Sequence, residues 1–149
     1  MGPRENQEKV ALPTQLQLQI VSADRLLVSE QVDEVEVPGA DGYFGVLPGH
    51  TPLLALLGAG ELWYRQGQEK HFLLVAFGFA EVQPDRVTVL AEIAERPEEI
   101  DVARAEAARN RAQERIMKPT VDMDAERARI ALMKSLIRLQ VATKARIKS

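Results

Sequence analysis

Apolar and polar residues alternate along most of the first 90 or so positions of the chain. Leu16, Leu18 and Ile20 alternate with glutamines, which predicts a half-buried strand over residues 15–21. Glycine and proline turn signals separate further short strands, predicted over 25–30, 32–37, 43–47, 52–57, 61–66, 70–77, 79–83 and 86–91. Because no helical period falls between them, the pattern favours a β-sandwich or barrel over a parallel α/β sheet.

The last third of the chain changes to an alanine- and arginine-rich pattern with helical spacing. Pro97, followed by two glutamates, predicts the start of a helix, since proline fits the first turn and carboxylates favour its positive end. This helix is expected to run to Met117, where Pro119 breaks it. Asp122 or Asp124 can cap a second helix that extends to about residue 146. So short a break makes the two helices antiparallel neighbours.

The predicted fold class is therefore α+β in separate domains, with an N-terminal antiparallel β-sandwich and a C-terminal antiparallel two-helix hairpin. We place the sandwich at 14–94 and the hairpin at 95–149, after a disordered extension at 1–13. That extension is polar and lacks the apolar centre of a signal peptide. No apolar run reaches 18 residues, so direct membrane insertion is not expected.

The net charge of −3 conceals an asymmetry between the two parts. Residues 1–94 carry 6 basic and 13 acidic side chains, whereas residues 95–149 carry 13 basic and 9 acidic ones. From residue 127 onward there are seven lysines or arginines and no acid. A basic segment on an acidic chain predicts an anionic partner, which could be a nucleic acid, a nucleotide, a membrane surface or an acidic protein patch.

The cations of the two helices follow one repeated spacing. The first helix carries Arg104, Arg111 and Arg115 along one stripe with Ala108 in the gap, and the second carries Arg127, Lys134 and Arg138 with Ala131 in the gap. If the stripes face each other across the hairpin, they repel unless an anion lies between them. The alternative is that both stripes are solvated surface.

The apolar residues of the second helix cover more of its circumference than one docking face needs. Leu136 lies on one side, and Ile137 and Val141 lie well round from it. The first helix offers mainly alanines, which bury little area each, so docking of the hairpin should be weak. The second helix is therefore expected to have a second place to bind.

Catalytic signals are poor in this sequence. His50 lies in a turn and His71 beside a strand, and a lone histidine in a turn more often braces its loop than catalyses a reaction. There is no nucleophile elbow, Walker A loop or dinucleotide fingerprint. Cysteine is absent, which excludes a disulfide or thiolate metal site, and no metal is expected. Glu34 and Glu36 alternate as expected for the solvent-exposed face of a strand. Taken together, these observations predict that the chain is not an enzyme.

Two binding classes compete for the basic helix. A nucleic-acid-binding arm is disfavoured because the helix has no aromatic residue for stacking and the whole chain is acidic. A membrane-surface helix is disfavoured by its missing Trp and Phe.

Residues 42–53, GYFGVLPGHTPL, resemble the G-x-x-G-x-L-P-x-H-x-P signature of the epsilon subunit of the F-type ATP synthase, the subunit called delta in mitochondria. Residues 87–92, followed by Ile100-Asp101-x-x-Arg104-Ala105, resemble that family's passage from β domain to helices. The resemblance covers about residues 15–146 in the family's order.

The resemblance implies a non-catalytic rotor subunit of a proton-translocating, rotary ATP synthase. In that family the sandwich binds the gamma subunit and sits on the c-ring. The hairpin lies folded on the sandwich, or it extends into the alpha–beta catalytic head and inhibits ATP hydrolysis. The signature residues are then expected to form the subunit interface: Gly42, Gly45, Leu47, Pro48, His50 and Pro52. The expected location is the cytoplasmic face of the plasma membrane, as a peripheral part of the complex.

Some bacterial members of this family bind ATP in the folded hairpin. Carried over by the I-D-x-x-R-A motif and its neighbours, the ATP contacts would fall on Glu95, Ile100, Asp101, Arg104, Ala105, Arg111, Arg127, Lys134 and Arg138. The triphosphate would then be the anion that the two stripes need, as a regulatory ligand and not a required cofactor.

The sequence departs from the family at three places, of which the first is the N-terminal extension of about 13 residues, to which no role is assigned. Lys134 stands where ATP-binding members usually have arginine, so a bidentate phosphate contact becomes a point charge. Residues 76–78, AFG, replace a common glycine pair, which is expected to alter a turn but not the fold. Apart from the central-stalk subunit, the alternatives are a free-standing ATP sensor and a nucleic-acid-binding arm on a β scaffold.

Overall fold

The computed structural model of the chain describes residues 12–118 and 124–148, with side chains described as far as Thr143. The expected disorder of residues 1–13 therefore lies almost wholly outside the described residues. Pro119 and Asp122, which were expected to break and cap helices, lie outside them as well.

Eight strands form the N-terminal part. They are β1 (Leu16–Val21), β2 (Leu26–Val32), β3 (Glu34–Gly39), β4 (Gly42–Val46), β5 (Leu53–Leu56), β6 (Ala59–Gln66), β7 (Glu69–Gln83) and β8 (Arg86–Glu95). They are hydrogen-bonded in the order β2-β1-β8-β7-β6-β3-β4, and β5 pairs with β7 off this path. The pairing is antiparallel as predicted, with the exception that β1 runs parallel to β8.

One apolar core lies between the two halves of this folded sheet. Leu16, Leu18 and Ile20 of β1 are fully buried, which confirms the inward face that their alternation predicts. Val32 of β2 and Val46 of β4, from opposite ends of the strand order, belong to the same buried cluster. Side chains from both ends of the sheet thus share one core, and the predicted sandwich is confirmed.

Residues 70–77 and 79–83, predicted as two strands, form the single strand β7. Its first half pairs with β6 and its second half with β5. The change of partner falls at Phe77 and Gly78, which have φ angles of 62° and 101°. A Cβ on Gly78 would lie 2.0 Å from the carbonyl oxygen of Leu90, so glycine is required there. Phe77 carries a Cβ and is therefore strained at its positive φ angle. This conformation costs about 1–3 kcal/mol.

The helical part begins later than the sequence predicts. Pro97–Glu99 forms a separate 3₁₀ turn, and the first α-helix, α1 (Val102–Met117), starts only after Ile100 and Asp101. Ile100 is extended and packs into a small apolar cluster with Leu74 of β7. Burial of this side chain outweighs the local helix signal, and Asp101 then caps α1 by accepting a hydrogen bond from the Arg104 amide at 3.0 Å.

The second helix, α2 (Ala125–Lys148), starts as predicted. Asp124 accepts a hydrogen bond from the Arg127 amide at 3.1 Å and so acts as its cap. In the part of the chain that the structure describes, no helix is long and apolar enough to cross a bilayer.

The hairpin lies folded on the sandwich. Val141, Ala142 and Ile137 of α2 pack with Leu74 and Ile100 in a cluster separate from the main core. Between α1 and α2 the buried side chains are small: Ala105, Ala112, Ala128 and Ser135. The opposite side of α2 exposes Met133 and Leu136, which remain 37% and 46% exposed. The second apolar face predicted for this helix is therefore present and uncovered by the described residues.

Candidate functional site

A cleft of about 420 Å³ lies where β8 ends and α1 begins, and we call it the hinge cleft. Its lining consists of Glu95, Glu99, Asp101, Arg104, Ala105, Ala108, Arg111 and Arg138. The volume is within the range of small-molecule sites in proteins.

Three chain segments bring the hinge-cleft residues together. Arg104, Ala108 and Arg111 are spaced i, i+4 and i+7 on α1, so they share one face of that helix. Asp101 is held in the lining of the hinge cleft because its side chain caps α1. Arg138 reaches the cleft from α2, because the hairpin folds that helix back along the end of β8.

Ion pairs occupy part of the hinge cleft. The guanidinium of Arg138 donates from Nη2 to Glu95 Oε1 at 2.9 Å and from Nε to Oε2 at 3.1 Å. Glu99 pairs with Arg25, which reaches it from the turn after β1. Among the described residues, the side chains of Arg104 and Arg111 make no hydrogen bond or ion pair. Two guanidiniums on one face of α1 are thus available to bind an anion, and the small residue Ala108 lies between them on that face.

Six of the nine predicted ATP contacts line the hinge cleft, and three do not. Ile100 lies beneath it, packed in the apolar cluster. Arg127 is exposed in the first turn of α2. The Nζ atom of Lys134 lies 5.5 Å from the ring centre of Phe77, away from the cleft lining. Of the second stripe, Arg138 alone lines the cleft, so the cleft does not bring all three cations of each helix face to face.

Two lining residues were not among the predicted contacts. Ala108 could have been found from the sequence, because it is the small residue in the gap of the first cation stripe. Glu99 gives no such signal, because its place in the cleft depends on the 3₁₀ turn that ends just before Ile100.

The predicted interface residues lie on β4 and the turn that follows it. Gly42, Gly45, Leu47 and Pro52 are exposed, whereas Pro48 and His50 are half-buried. The turn is attached to the β7–β8 connection, because Gly49 (φ 86°) donates its amide hydrogen to the Pro84 carbonyl at 2.7 Å. His50 Nδ1 lies 2.6 Å from the Thr51 carbonyl oxygen, which fits a loop-bracing role.

An exposed apolar row crosses the outer face of the sandwich, and sequence reasoning did not find it. Strand register places Leu56, Phe79, Leu90, Val21 and Leu26 side by side on β5, β7, β8, β1 and β2. Leu56 is 71% and Phe79 42% exposed. A contiguous apolar surface of this kind is typical of a protein–protein contact.

Comparison with protein families assigns both parts of the chain. Residues 15–97 match the model for the ATP synthase delta/epsilon chain β-sandwich domain, and residues 98–143 match that for the long α-helix domain. The ATP synthase epsilon chain of Solibacter usitatus is 49% identical over 133 residues, covering 89% of this chain and 99% of the relative. That of Nitratidesulfovibrio vulgaris strain DP4 is 48% identical over 126 residues, covering 85% and 94%.

Solved structures show the same architecture. A chain in the cryo-EM structure of the Euglena gracilis mitochondrial ATP synthase OSCP/F1/c-ring matches with a TM-score of 0.77 and 25% identity, covering 93% of this chain and 85% of that one. A chain of the Tetrahymena thermophila mitochondrial ATP synthase central stalk/c-ring shares the fold, with a TM-score of 0.55, 13% identity and coverage of 91% and 98%. This chain therefore belongs to the ATP synthase delta/epsilon chain family, as a non-catalytic subunit and not an enzyme in its own right.

Proposed function

We propose that this protein is an epsilon-type central-stalk subunit that couples the catalytic head of an ATP synthase to its c-ring and restrains ATP hydrolysis through its two helices. ATP is the regulatory ligand that holds the hairpin folded. The observation that carries the regulatory part is the hinge cleft, where Arg104 and Arg111 have no partner among the described residues and Arg138 joins them from α2.

The sandwich provides the rotor contacts in this proposal. The matched structures bear the names of assemblies that contain a c-ring, and one of them is named as a central stalk. The exposed apolar row and the β4 turn that carries Leu47 are the surfaces offered to the gamma subunit and the c-ring. The protein then lies at the cytoplasmic face of the plasma membrane as a peripheral part of the complex, without inserting into the bilayer.

The second helix acts as the brake on hydrolysis. Its outer side exposes Met133 and Leu136, and from residue 127 onward it carries no acidic residue. An extended α2 would thus present apolar contacts and positive charge to the alpha and beta subunits of the catalytic head, where we expect acidic surface on beta. The small cluster around Val141, which holds α2 on the sandwich, would have to separate for the helix to extend.

A triphosphate in the hinge cleft would favour the folded hairpin. Arg104 and Arg111 bind phosphate oxygens directly, and the amino-terminal end of α1 adds its positive dipole. Arg138 then exchanges Glu95 for phosphate, which links α1 to α2 through the ligand. A ligand at 100 times its dissociation constant stabilises the form that binds it by about 2.7 kcal/mol, comparable with the weak docking expected of the hairpin.

The test compares complexes that contain the full chain with complexes that contain a chain ending at Glu99. Assembly should be unchanged and ATP hydrolysis should rise when the helices are removed. The excess hydrolysis of the truncated complex over the full-length one should shrink as ATP concentration rises, since ATP holds the hairpin of the full-length complex away from the head. Equal hydrolysis by both complexes at low and at high ATP would contradict the proposed brake.

A further inference from the structure

Lys134 has a partner that the proposed nucleotide site does not use. Its side chain is half-buried on the side of α2 that faces the sandwich, and its Nζ atom is 5.5 Å from the centre of the Phe77 ring. A lysine ammonium within about 6 Å of an aromatic face is attracted by the negative charge density of that face. Lys134 thus contacts β7 and not the lining of the hinge cleft.

Phe77 occupies a backbone position that favours glycine. It is the one non-glycine residue with a positive φ angle among residues 12–118 and 124–148. Its amide donates a hydrogen bond to the Gly58 carbonyl at 3.0 Å, while Gly78 accepts one from Leu57 at 2.9 Å. These bonds hold β7 as it changes partner, and the ring of Phe77 lies against Lys134 of α2.

Three contacts lie in line along α2. Lys134, Arg138 and Val141 are spaced i, i+4 and i+7, so they share one face of the helix. Lys134 contacts Phe77, Arg138 contacts Glu95, and Val141 packs in the cluster around Leu74. The cation–ring contact is therefore a further attachment of α2 to the sandwich along this face, about one helical turn from the ion pair.

We propose that Lys134 and Phe77 form a latch that keeps α2 docked on the sandwich in the absence of nucleotide. The Phe77 ring attracts the Lys134 ammonium group without any phosphate group being present. The latch sets how often the hairpin opens when no nucleotide is bound. This inference goes beyond the nucleotide site and holds whether or not that site binds ATP.

The chain contains no cysteine, so a single introduced thiol can report on opening of the hairpin. Ala142→Cys places the thiol in the small cluster beneath α2, where Ala142 is 6% exposed. Its rate of modification by a thiol reagent, measured on the full chain without nucleotide, follows the open fraction. Ala80→Cys in the sandwich core is the matched control, because opening of the hairpin leaves it covered.

Phe77→Leu removes the aromatic face and Lys134→Met removes the charge. Each should raise the modification rate of the thiol at position 142 about two- to fivefold and leave that of the control thiol at position 80 unchanged. The double variant should open no faster than the faster single variant, because both substitutions break the same contact. Lys134→Arg should keep the slow rate. Independent, multiplicative effects of the two substitutions, or no effect of either, would overturn the latch.

Phe77→Gly separates the latch from general stability. It removes the ring and also relieves the backbone strain, which offsets part of the stability lost with the ring, while the thiol at position 142 should react faster. An unchanged or slower reaction of that thiol in this variant would show that the ring does not hold α2. Because every sample lacks nucleotide, these results are independent of whether ATP binds in the hinge cleft.

Discussion

Arg138 and Glu95 form a bidentate ion pair that joins α2 to the last residue of β8, with three nitrogen–oxygen contacts between 2.9 and 3.3 Å. Both side chains are 27% exposed, so solvent screens the pair only in part. The same guanidinium lines the hinge cleft. Docking of the second helix and the proposed binding of an anion therefore share one residue, which is the physical basis for coupling them.

Glu95→Gln should loosen the folded hairpin in the absence of nucleotide. The amide keeps the shape of the side chain but loses its charge, and we expect docking to weaken by about 1 kcal/mol. The reactivity of a thiol introduced at position 142 measures this as a roughly fivefold faster modification. Glu92→Gln, at an exposed position of β8, is the matched control. Equal rates in the two variants would show that the ion pair contributes nothing to docking.

Leu136→Ser should distinguish the role of the exposed face of α2 from that of the face that docks on the sandwich. Leu136 is exposed in the folded hairpin, so the stability of the isolated chain should change by less than about 0.5 kcal/mol. In the assembled complex, however, inhibition of ATP hydrolysis should weaken, because the extended helix loses an apolar contact with the head. The measurement pairs urea unfolding of the chain with hydrolysis assays of the complex.

Val141→Ala is the counterpart on the inner face. Val141 is fully buried against the sandwich, so its truncation should reduce docking by about 1–2 kcal/mol. If Leu136→Ser weakened docking as much as Val141→Ala, the assignment of the two faces would be wrong.

Asp33 should make the sandwich sensitive to acid. Its Oδ2 accepts a hydrogen bond from the Gly67 amide at 2.7 Å, and this bond is the main cause that lowers the pKa of the carboxyl below its ordinary value of 3.8. Because the folded pKa is the lower one, the carboxylate stabilises the fold above pH 3.8, and this contribution is lost as the pH falls through the folded pKa.

The stability difference between the native chain and Asp33→Asn should therefore be constant near neutral pH and shrink below pH 3.8. Urea midpoints measured across that range test this, with Asp24→Asn at an exposed turn as the control. A difference that grows as the pH falls would contradict the assignment.

Most of the strand pattern could be predicted from the sequence, because alternation along residues such as Leu16 and Leu18 reports directly which face is buried. The sequence did not predict that residues 70–77 and 79–83 form the single strand β7. Gly78 reads locally as a turn signal, whereas in the fold it lets one strand change partner. The late start of α1 could not be predicted either, because it depends on a contact between Ile100 and Leu74, which are far apart in the sequence.

The hinge cleft could be predicted in part for a related reason. Helical spacing identifies which cations share a face, and so it grouped Arg104 with Arg111 correctly. It does not fix the rotation of one helix relative to another. The family resemblance placed Lys134 and Arg127 among the ATP contacts, but Lys134 contacts Phe77 and Arg127 is exposed.

The measurement that most directly tests a nucleotide-gated hairpin is a calorimetric titration of the full chain with ATP. We expect saturable binding of one ATP. Arg104→Ala and Arg138→Ala should each weaken that binding about tenfold or more, since each removes a charged hydrogen-bond donor to phosphate. Arg129→Ala, at an exposed position of α2 outside the cleft lining, should leave it unchanged. No binding up to millimolar ATP, or equal weakening by all three substitutions, would contradict the hinge cleft as the nucleotide site.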